Sequence, residues 1–561
     1  MHMLASAAER FTCISVVHEV AAGIATEYFN EISATGKAFA LVTAGPGLTN
    51  IVTALAGAYL ESRELLVIGG QVKTSDLARG FVRQRGIQEV AGVAIAAPVA
   101  KNAVLIDDAM QKDEVMALIH DGRMPRKGPI FLEIPLDVQG RTILDISVLA
   151  REPKRRPVGG NEPMDDLVTD VVERMVAAQR PVFLLGGGVE RTVARDMRDH
   201  WADMGVPIMT TWNGADRIPA EHPLYFGRPN TWGQRYSNVL IQQSDCVVAF
   251  GTRLGLQQTG FNYREFVPGG AIVQIDCDAR ELNKGHPHVE LQVKADANIV
   301  LRQMRNYKFG NYAEWRTFCS QVKAELPVIE TCNATSKNYI SPHKFVKTLS
   351  EISRENDIII PCSSGGAFTV MMQVFEQKDG QIIVTNKGLA SMGYGLSGAI
   401  GAALADRSRR VLLVEGDGGF AQNMQELGTL ERNNLNVKVF IFDDGGYASI
   451  RMTQRNYFGG RYVGCDRSSG LGLPDWELLF RAFGIRVQRL HPDFLQDEKF
   501  LGAMEEDGPV GFVVPIDPEQ TYFPKIGSRV TESGSMESNA LDVMDPRLEP
   551  SVDRRVRKYR D

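Results

Sequence analysis

The sequence predicts an α/β fold: three successive αβ units, each a doubly wound parallel sheet, followed by a C-terminal tail. Three observations carry that prediction. Short apolar runs ending on glycine turns alternate with helix-period segments. The alternation recurs in three blocks separated by polar stretches. Finally, 561 residues exceed what one hydrophobic core organises.

The first unit covers 1–150. HEVAAGIATEYF reads as a helix opening on His18-Glu19, and Phe39 to Val72 reads as strand, Gly-Pro turn, helix and strand. A basic, proline-punctuated linker follows, Arg151 to Pro163. The second unit, 164–305, opens with a helix and continues into PVFLLGGGVERT, a strand running into Gly186, Gly187 and Gly188. It goes on through CVVAFGTRL and AIVQIDCD and ends near Met304. A polar stretch from Ser336 to Pro342 leads into the third unit, 340–520. Beyond Pro515 the periodicity stops, so 521–561 reads as a tail with apolar anchors draped over other domains.

Composition narrows the function classes. A 44% hydrophobic and 23% charged chain is that of a globular protein. A net charge of -6 argues against a nucleic-acid binder, whose footprint is basic. The basic run Arg554 to Arg560 reads as a solvated end. No apolar run is long enough to cross a bilayer, and Met1 onward carries no signal-peptide pattern. The seven cysteines lack CxxC spacing, which points away from zinc and from a disulfide framework. Together these predict a cytoplasmic protein with reduced thiols, neither nucleic-acid- nor membrane-bound.

The most informative stretch is Val411 to Ile450. It reads as a buried strand, a glycine turn carrying Gly416, Asp417, Gly418 and Gly419, one amphipathic helix with Phe420, Met424, Leu427 and Leu430 on its buried face, and a second strand. That strand ends on Asp443, Asp444, Gly445 and Gly446. In parallel αβ units the C-terminal strand ends share one edge, where open sheets bind ligands. Carboxylates among glycine amides suit Mg²⁺ bridged to a diphosphate. An ordinary βαβ unit with acidic loop ends is the alternative.

GDG followed about two dozen residues later by an acidic or amide pair resembles the thiamine-diphosphate (ThDP) signature. Asp443-Asp444 stands where that family usually has Asn-Asn. Nearly the whole chain resembles the acetolactate-synthase-like ThDP enzymes. Within them it is similar to a subgroup of nucleotide-sugar and lipopolysaccharide pathways, on RQRGIQEV, FLEIPLDVQG, the Thr210 to Arg235 stretch and SGSMESNAL. The resemblance names the three units pyrimidine-binding, central and pyrophosphate-binding. It also implies a first strand and glycine-rich loop ahead of this start, with Met1 to Leu4 aligning at that loop's end.

Residue by residue, the resemblance implies that Glu19 bonds the pyrimidine ring and drives removal of the thiazolium C2 proton. A glutamate with little water nearby suits that relay, whereas a plain first-turn glutamate is the alternative. Met392 would sit beneath the thiazolium, and the Ala390 carbonyl would accept from the pyrimidine amine. The side chains of Asp417 and Asp444 and the carbonyl of Gly446 would hold Mg²⁺. Backbone amides at Gly365 and Gly366 would meet phosphate. Gln71, Gln88 and Lys101 match positions on the substrate side, though each also reads as an ordinary loop or surface residue. Gly187 and Arg253 resemble FAD contacts, with Gln257 where the synthases commonly carry a second arginine. The implied activity is a carboligase that decarboxylates pyruvate and transfers the two-carbon unit to another 2-keto acid. A keto-deoxysugar nucleotide as acceptor, and a catalytically impaired cofactor-binding subunit, are the other readings. At least a homodimer is implied.

Overall fold

A computed structural model describes residues 10–108, 110–141, 164–530, 534 and 536–560. The start at Met1 to Leu4 and the Arg151 to Pro163 linker lie outside the described residues. The fold is α/β, with parallel sheets of four, five and six strands. The chain forms two compact units, one of residues 1–154, 388–441 and 473–513, the other of 155–387, 442–472 and 514–561.

In the first unit the strands β1 (Ala40–Val42), β2 (Leu65–Gln71), β3 (Asn102–Leu105) and β4 (Pro129–Pro135) form a parallel sheet of order β1-β2-β4-β3. β4 is buried along nearly its whole length, so it is apolar apart from Glu133, as strands covered on both faces are. The Glu19–Ile32 helix packs most extensively on the glycine- and alanine-rich Tyr394–Ala405 helix. That approach needs the small residues: a Cβ on Gly401 would lie 2.1 Å from the Ala25 carbonyl oxygen.

In the second unit β5 (Pro181–Leu185), β6 (Ile208–Thr210), β7 (Cys246–Phe250), β8 (Ala271–Asp276) and β9 (Leu291–Lys294) form a parallel sheet of order β6-β5-β7-β8-β9. The chain leaves β5 to one side for β6 and returns on the other for β7, which creates a switch point between β5 and β7. The six-stranded sheet comprises β10 (Ile358–Ile360), β11 (Ile382–Ile383), β12 (Val411–Gly416), β13 (Val437–Asp443), β14 (Arg486–Arg489) and β15 (Val510–Pro515). Within it β10 pairs with β11 and β14 with β15, both parallel.

Three expectations are corrected. The segment after Asp417 is not one helix: it is a short helix Asp417–Phe420, a 3-10 turn Met424–Glu426 and a helix Leu427–Arg432. Asn423 breaks it, because its backbone leaves the helical region while its buried amide donates to the Gly393 carbonyl at 2.6 Å. The tail is not free of regular structure. β16 (Lys525–Ile526) pairs antiparallel with β19 (Met544–Asp545), β17 (Ser528–Val530) pairs with β18 (Met536–Ser538), and Pro550–Val556 is helical. Strands of two or three residues are too short to show a period. Nor is the basic run simply solvated, since Arg557 and Arg560 both pair with the buried Asp542. Among the described residues no helix is long and apolar enough to cross a membrane.

Candidate active site

Glu19 is the first residue of its helix, with His18 as N-cap accepting from the Val20 amide at 3.3 Å. Its carboxylate accepts from Asn50 Nδ2 at 3.0 Å. Within this unit the side chain is half-buried, so the expected water-poor setting is only partly present.

The lead-in to Glu19 is held by a residue that the sequence reading missed. The fully buried Glu426 accepts from the amides of Val17 and His18 at 3.1 and 2.9 Å, and from Thr429 Oγ1 at 2.7 Å. Deeper along the same helix, Glu27 is buried against Arg63, with Nη1 to Oε1 at 2.8 Å and the Tyr394 hydroxyl donating to Oε2 at 3.2 Å. The only signal for either was a charged residue among apolar neighbours at helical spacing.

Gln71 and Gln88 come together at the C-terminal edge of the four-stranded sheet. Gln71 ends β2, and its amide donates to the Val90 carbonyl at 3.0 Å and to Glu133 Oε1 at 2.9 Å. Burial pushes the Glu133 carboxyl up to about 7, against lowering hydrogen bonds from the Val93 amide and Gln71. The loop carrying Gln88 folds around Glu89, which accepts from the amides of Ala78, Arg85 and Gly86. Gln88 itself is exposed, with φ of 63°, and its carbonyl sits against the turn after β1. A Cβ on Gly45 would lie 2.2 Å from that oxygen, so only glycine permits the contact.

Lys101 is not brought to them. It precedes β3, its amide bonds the carbonyl of Pro129 at the start of β4, and its ammonium donates to the Asp121 and Met124 carbonyls at 2.7 and 3.2 Å. Strand register puts it at the opposite, N-terminal edge. The length of β2 between the edges is about 20 Å at ~3.3 Å per residue.

Asp417 follows the C-terminal end of β12 and is 1% exposed, with its own carboxylate accepting from the Gly418 amide at 2.6 Å. Gly416 faces open space where a side chain would begin, whereas Gly419 lies against the Glu415 side chain. Glu415 was also missed. It is buried in β12, takes the amides of Gly395 and Leu396, and burial pushes its carboxyl up to about 8 against those bonds. Ala390 holds φ of 56°, and Met392 is half-buried with the Gln422 amide 3.9 Å from its sulfur.

In the second unit, Asp444 follows β13 and is 6% exposed. Its Oδ1 accepts from Arg451 Nη2 at 2.6 Å, and the same nitrogen donates to the Asp444 carbonyl at 2.9 Å. Burial raises the Asp444 carboxyl above the ordinary range; Arg451 opposes this and Asp443 adds to it. Gly446, at φ of 147°, packs so closely on the Cys465 carbonyl that a Cβ would lie 2.1 Å from it. The Gly365–Val374 helix begins at the exposed Gly365, with nothing within 4 Å of its would-be Cβ. Gly366 is glycine for another reason: the Tyr522 ring lies 2.2 Å from where its Cβ would be.

The triple glycine has a packing role. The amides of Gly186 and Gly188 bond the carbonyls of Phe250 and Gly251, and a Cβ on Gly186 would lie 2.3 Å from the Gly251 oxygen. Gly187 and Arg253 are both exposed, one after β5 and the other after β7, and so flank the switch point.

The chain matches three family models in order: thiamine pyrophosphate enzyme N-terminal TPP binding domain over 1–95, central domain over 168–304, and C-terminal TPP binding domain over 364–514. It belongs to the thiamine-pyrophosphate enzymes, of the acetolactate-synthase type. A probable acetolactate synthase large subunit of Methanocaldococcus jannaschii is 28% identical over 569 residues, covering 97% of this chain and 91% of that protein. The acetolactate synthase isozyme 2 large subunit of Escherichia coli (strain K12) is 28% identical, covering 90% and 89%. A probable acetolactate synthase large subunit of Methanococcus aeolicus is 27% identical, covering 89% and 85%.

The residues present fit the cofactor of that family. In the first unit Gly416, and in the second Gly365 and Gly445, each leave backbone facing open space, the kind of surface that suits a phosphate. Among the described residues no three His, Cys, Asp or Glu side chains gather into a metal cage. One or two carboxylates plus a carbonyl is the donor set of Mg²⁺ that keeps water and phosphate ligands.

Proposed function

We propose that this ThDP enzyme decarboxylates pyruvate and joins the two-carbon unit to a second 2-keto acid. The observation that carries this reading is the end-to-end match to acetolactate synthase large subunits, 97% of the chain in one case. Bound ThDP supplies the electron sink that makes loss of CO₂ feasible. The protein supplies position and protons.

Glu19, at the start of its helix, would exchange a proton with the pyrimidine and so promote loss of the proton at C2. Met392 would support the thiazolium, and the Ala390 carbonyl would accept from the pyrimidine amine. Asp417, Asp444 and the Gly446 carbonyl would hold Mg²⁺ against the diphosphate. The amides around Gly416, Gly418, Gly419, Gly365 and Gly366 would take its remaining oxygens. Gln88 stands on the substrate side with Gln71. Lys101 is given no role in this reading, because its ammonium is engaged at the other edge of the sheet.

FAD would be held at the switch point by Gly187 and Arg253, both exposed there. Two of the three glycine amides are already spent on Phe250 and Gly251, so the flavin contacts would rest mainly on Gly187 and Arg253. The assembly is at least a homodimer in this reading.

The test is the purified chain with ThDP, Mg²⁺ and pyruvate, following CO₂ and 2-acetolactate together. Equal release of both supports the proposal. CO₂ without acetolactate replaces the acceptor with another carbonyl compound, keto-deoxysugar nucleotides being tried next. ThDP binding with neither product refutes the activity.

A further inference from the structure

Glu426 is a hydrogen-bonded carboxylate behind the lead-in to Glu19, and nothing in the reaction uses it directly. It is 0% exposed. A carboxylate is retained at such a place only where donors offset its desolvation. Its donors here are two consecutive backbone amides, Val17 at 3.1 Å and His18 at 2.9 Å, with the Thr429 hydroxyl at 2.7 Å.

The two amides belong to the peptide groups immediately outside the Glu19–Ile32 helix, and His18 is its N-cap. Fixing them fixes the direction in which the chain enters the helix, and with it the Cα–Cβ bond of the first helical residue. Among the described residues Asn50 orients the Glu19 carboxylate, and the side chain is half-buried. Its placement therefore depends on the backbone beneath it.

The same short segment does this twice. Three residues earlier, Asn423 donates to the Gly393 carbonyl at 2.6 Å, directly after Met392. Asn423 and Glu426 stand three residues apart where the helix after Asp417 is interrupted, and both side chains reach these lead-ins.

We propose that Glu426 is a positioning residue for the proton step at Glu19, with Asn423 serving the Met392 turn in the same way. The inference rests on the reading of Glu19 as the proton relay. A displacement near 1 Å at a proton-transfer group costs up to about 100-fold in rate. The side chain of a glutamine at 426 could still accept both amides through its oxygen and donate to Thr429 Oγ1. An alanine could do neither.

The test uses full-length E426A, E426D, E426Q and E19Q proteins with ThDP and Mg²⁺. Three quantities are measured: ThDP affinity by calorimetry, hydrogen–deuterium exchange at C2 of bound ThDP by quenched-flow NMR, and amide exchange at Val17 and His18 without cofactor. Expected are a ~10- to 100-fold slower C2 exchange in E426A, ThDP affinity within about threefold of the parent, and at least about tenfold faster amide exchange at 17 and 18. E426Q should stay within about threefold of the parent in all three. E426D, which keeps the charge but withdraws it by one methylene, should slow C2 exchange about tenfold, and it carries the test if E426A does not fold. Parental C2 exchange in E426D, or in a folded E426A, while E19Q is slow overturns the positioning role and leaves Glu19 standing. Parental exchange in E19Q overturns the relay reading itself, and this inference with it.

Discussion

Replacing Glu27 by Gln tests whether the helix that carries Glu19 is held by a buried ion pair. Glu27 is 0% and Arg63 8% exposed, with their charged atoms 2.8 Å apart. Charge centres about 4 Å apart at an effective dielectric of about 20 attract by about 4 kcal/mol. Burial alone would lower the Arg63 pKa, yet Glu27, Glu31 and Glu61 together raise it, so the guanidinium stays charged. In Glu27→Gln that charge remains buried without its nearest counter-ion, the situation that costs about 3–5 kcal/mol where one partner of a buried pair is removed. Glu31 and Glu61 offset part of this, and the glutamine oxygen can still accept from Arg63. The expected loss is therefore about 2–4 kcal/mol. It is measured as the shift in urea midpoint of the cofactor-free protein, taken at several protein concentrations. The double variant Glu27→Gln, Arg63→Met removes the stranded charge and should recover all but about 1 kcal/mol. A single variant within about 0.5 kcal/mol of the parent, or a double variant less stable than the single, would refute the argument.

Two further outcomes follow from charged groups at the strand ends. Glu133 is raised from 4.5 to about 7 by burial, a difference of about 3 kcal/mol. A raised carboxyl favours the folded state fully below the unfolded value, and that contribution disappears as pH rises through the folded value. Relative to Glu133→Gln, the parent should lose about 3 kcal/mol of unfolding free energy between roughly pH 4.5 and 7 and no more above about pH 8; a flat difference across that window refutes the assignment. At the other end, Arg451→Met strips Asp444 of its counter-ion beside Asp443. Mg²⁺-dependent ThDP affinity should fall by at least about tenfold, and Asp444→Asn in the same protein should restore most of it. Isothermal titration at fixed Mg²⁺ decides this, and no rescue by Asp444→Asn would separate Arg451 from the charge of Asp444.

How much of this was legible in the sequence depended on whether a residue's role is local. Strands such as Pro181–Leu185 and Cys246–Phe250 declare themselves, because a strand buried on both faces must be apolar throughout. The Glu19–Ile32 helix and the turns after β12 and β13 were readable for the same reason. The interruption at Asn423 was not. Phe420, Leu427 and Leu430 keep a helical spacing across it, and the cause is a carbonyl thirty residues away in the chain. The tail escaped because its strands pair over two or three residues only.

The site divides along the same line. Asp417 and Glu19 stand in motifs, so their residue types could be matched position by position. Lys101 matched a family position on the substrate side, yet its ammonium closes the end of the Lys112–Asp121 helix at the far edge of the sheet, a contact that no spacing encodes. Glu27, Glu415 and Glu426 are the converse case. Each is a carboxylate inside an apolar stretch, which composition treats as a blemish in an otherwise buried pattern. Burying a carboxylate has a cost that only specific donors offset, so each such position had to possess partners: Arg63, the amides of Gly395 and Leu396, and the amides of Val17 and His18. The sequence thus marks where a buried network must exist before it can say what the network holds, and here all three networks end on the Glu19–Ile32 helix, its lead-in, or the Tyr394–Ala405 helix packed against it.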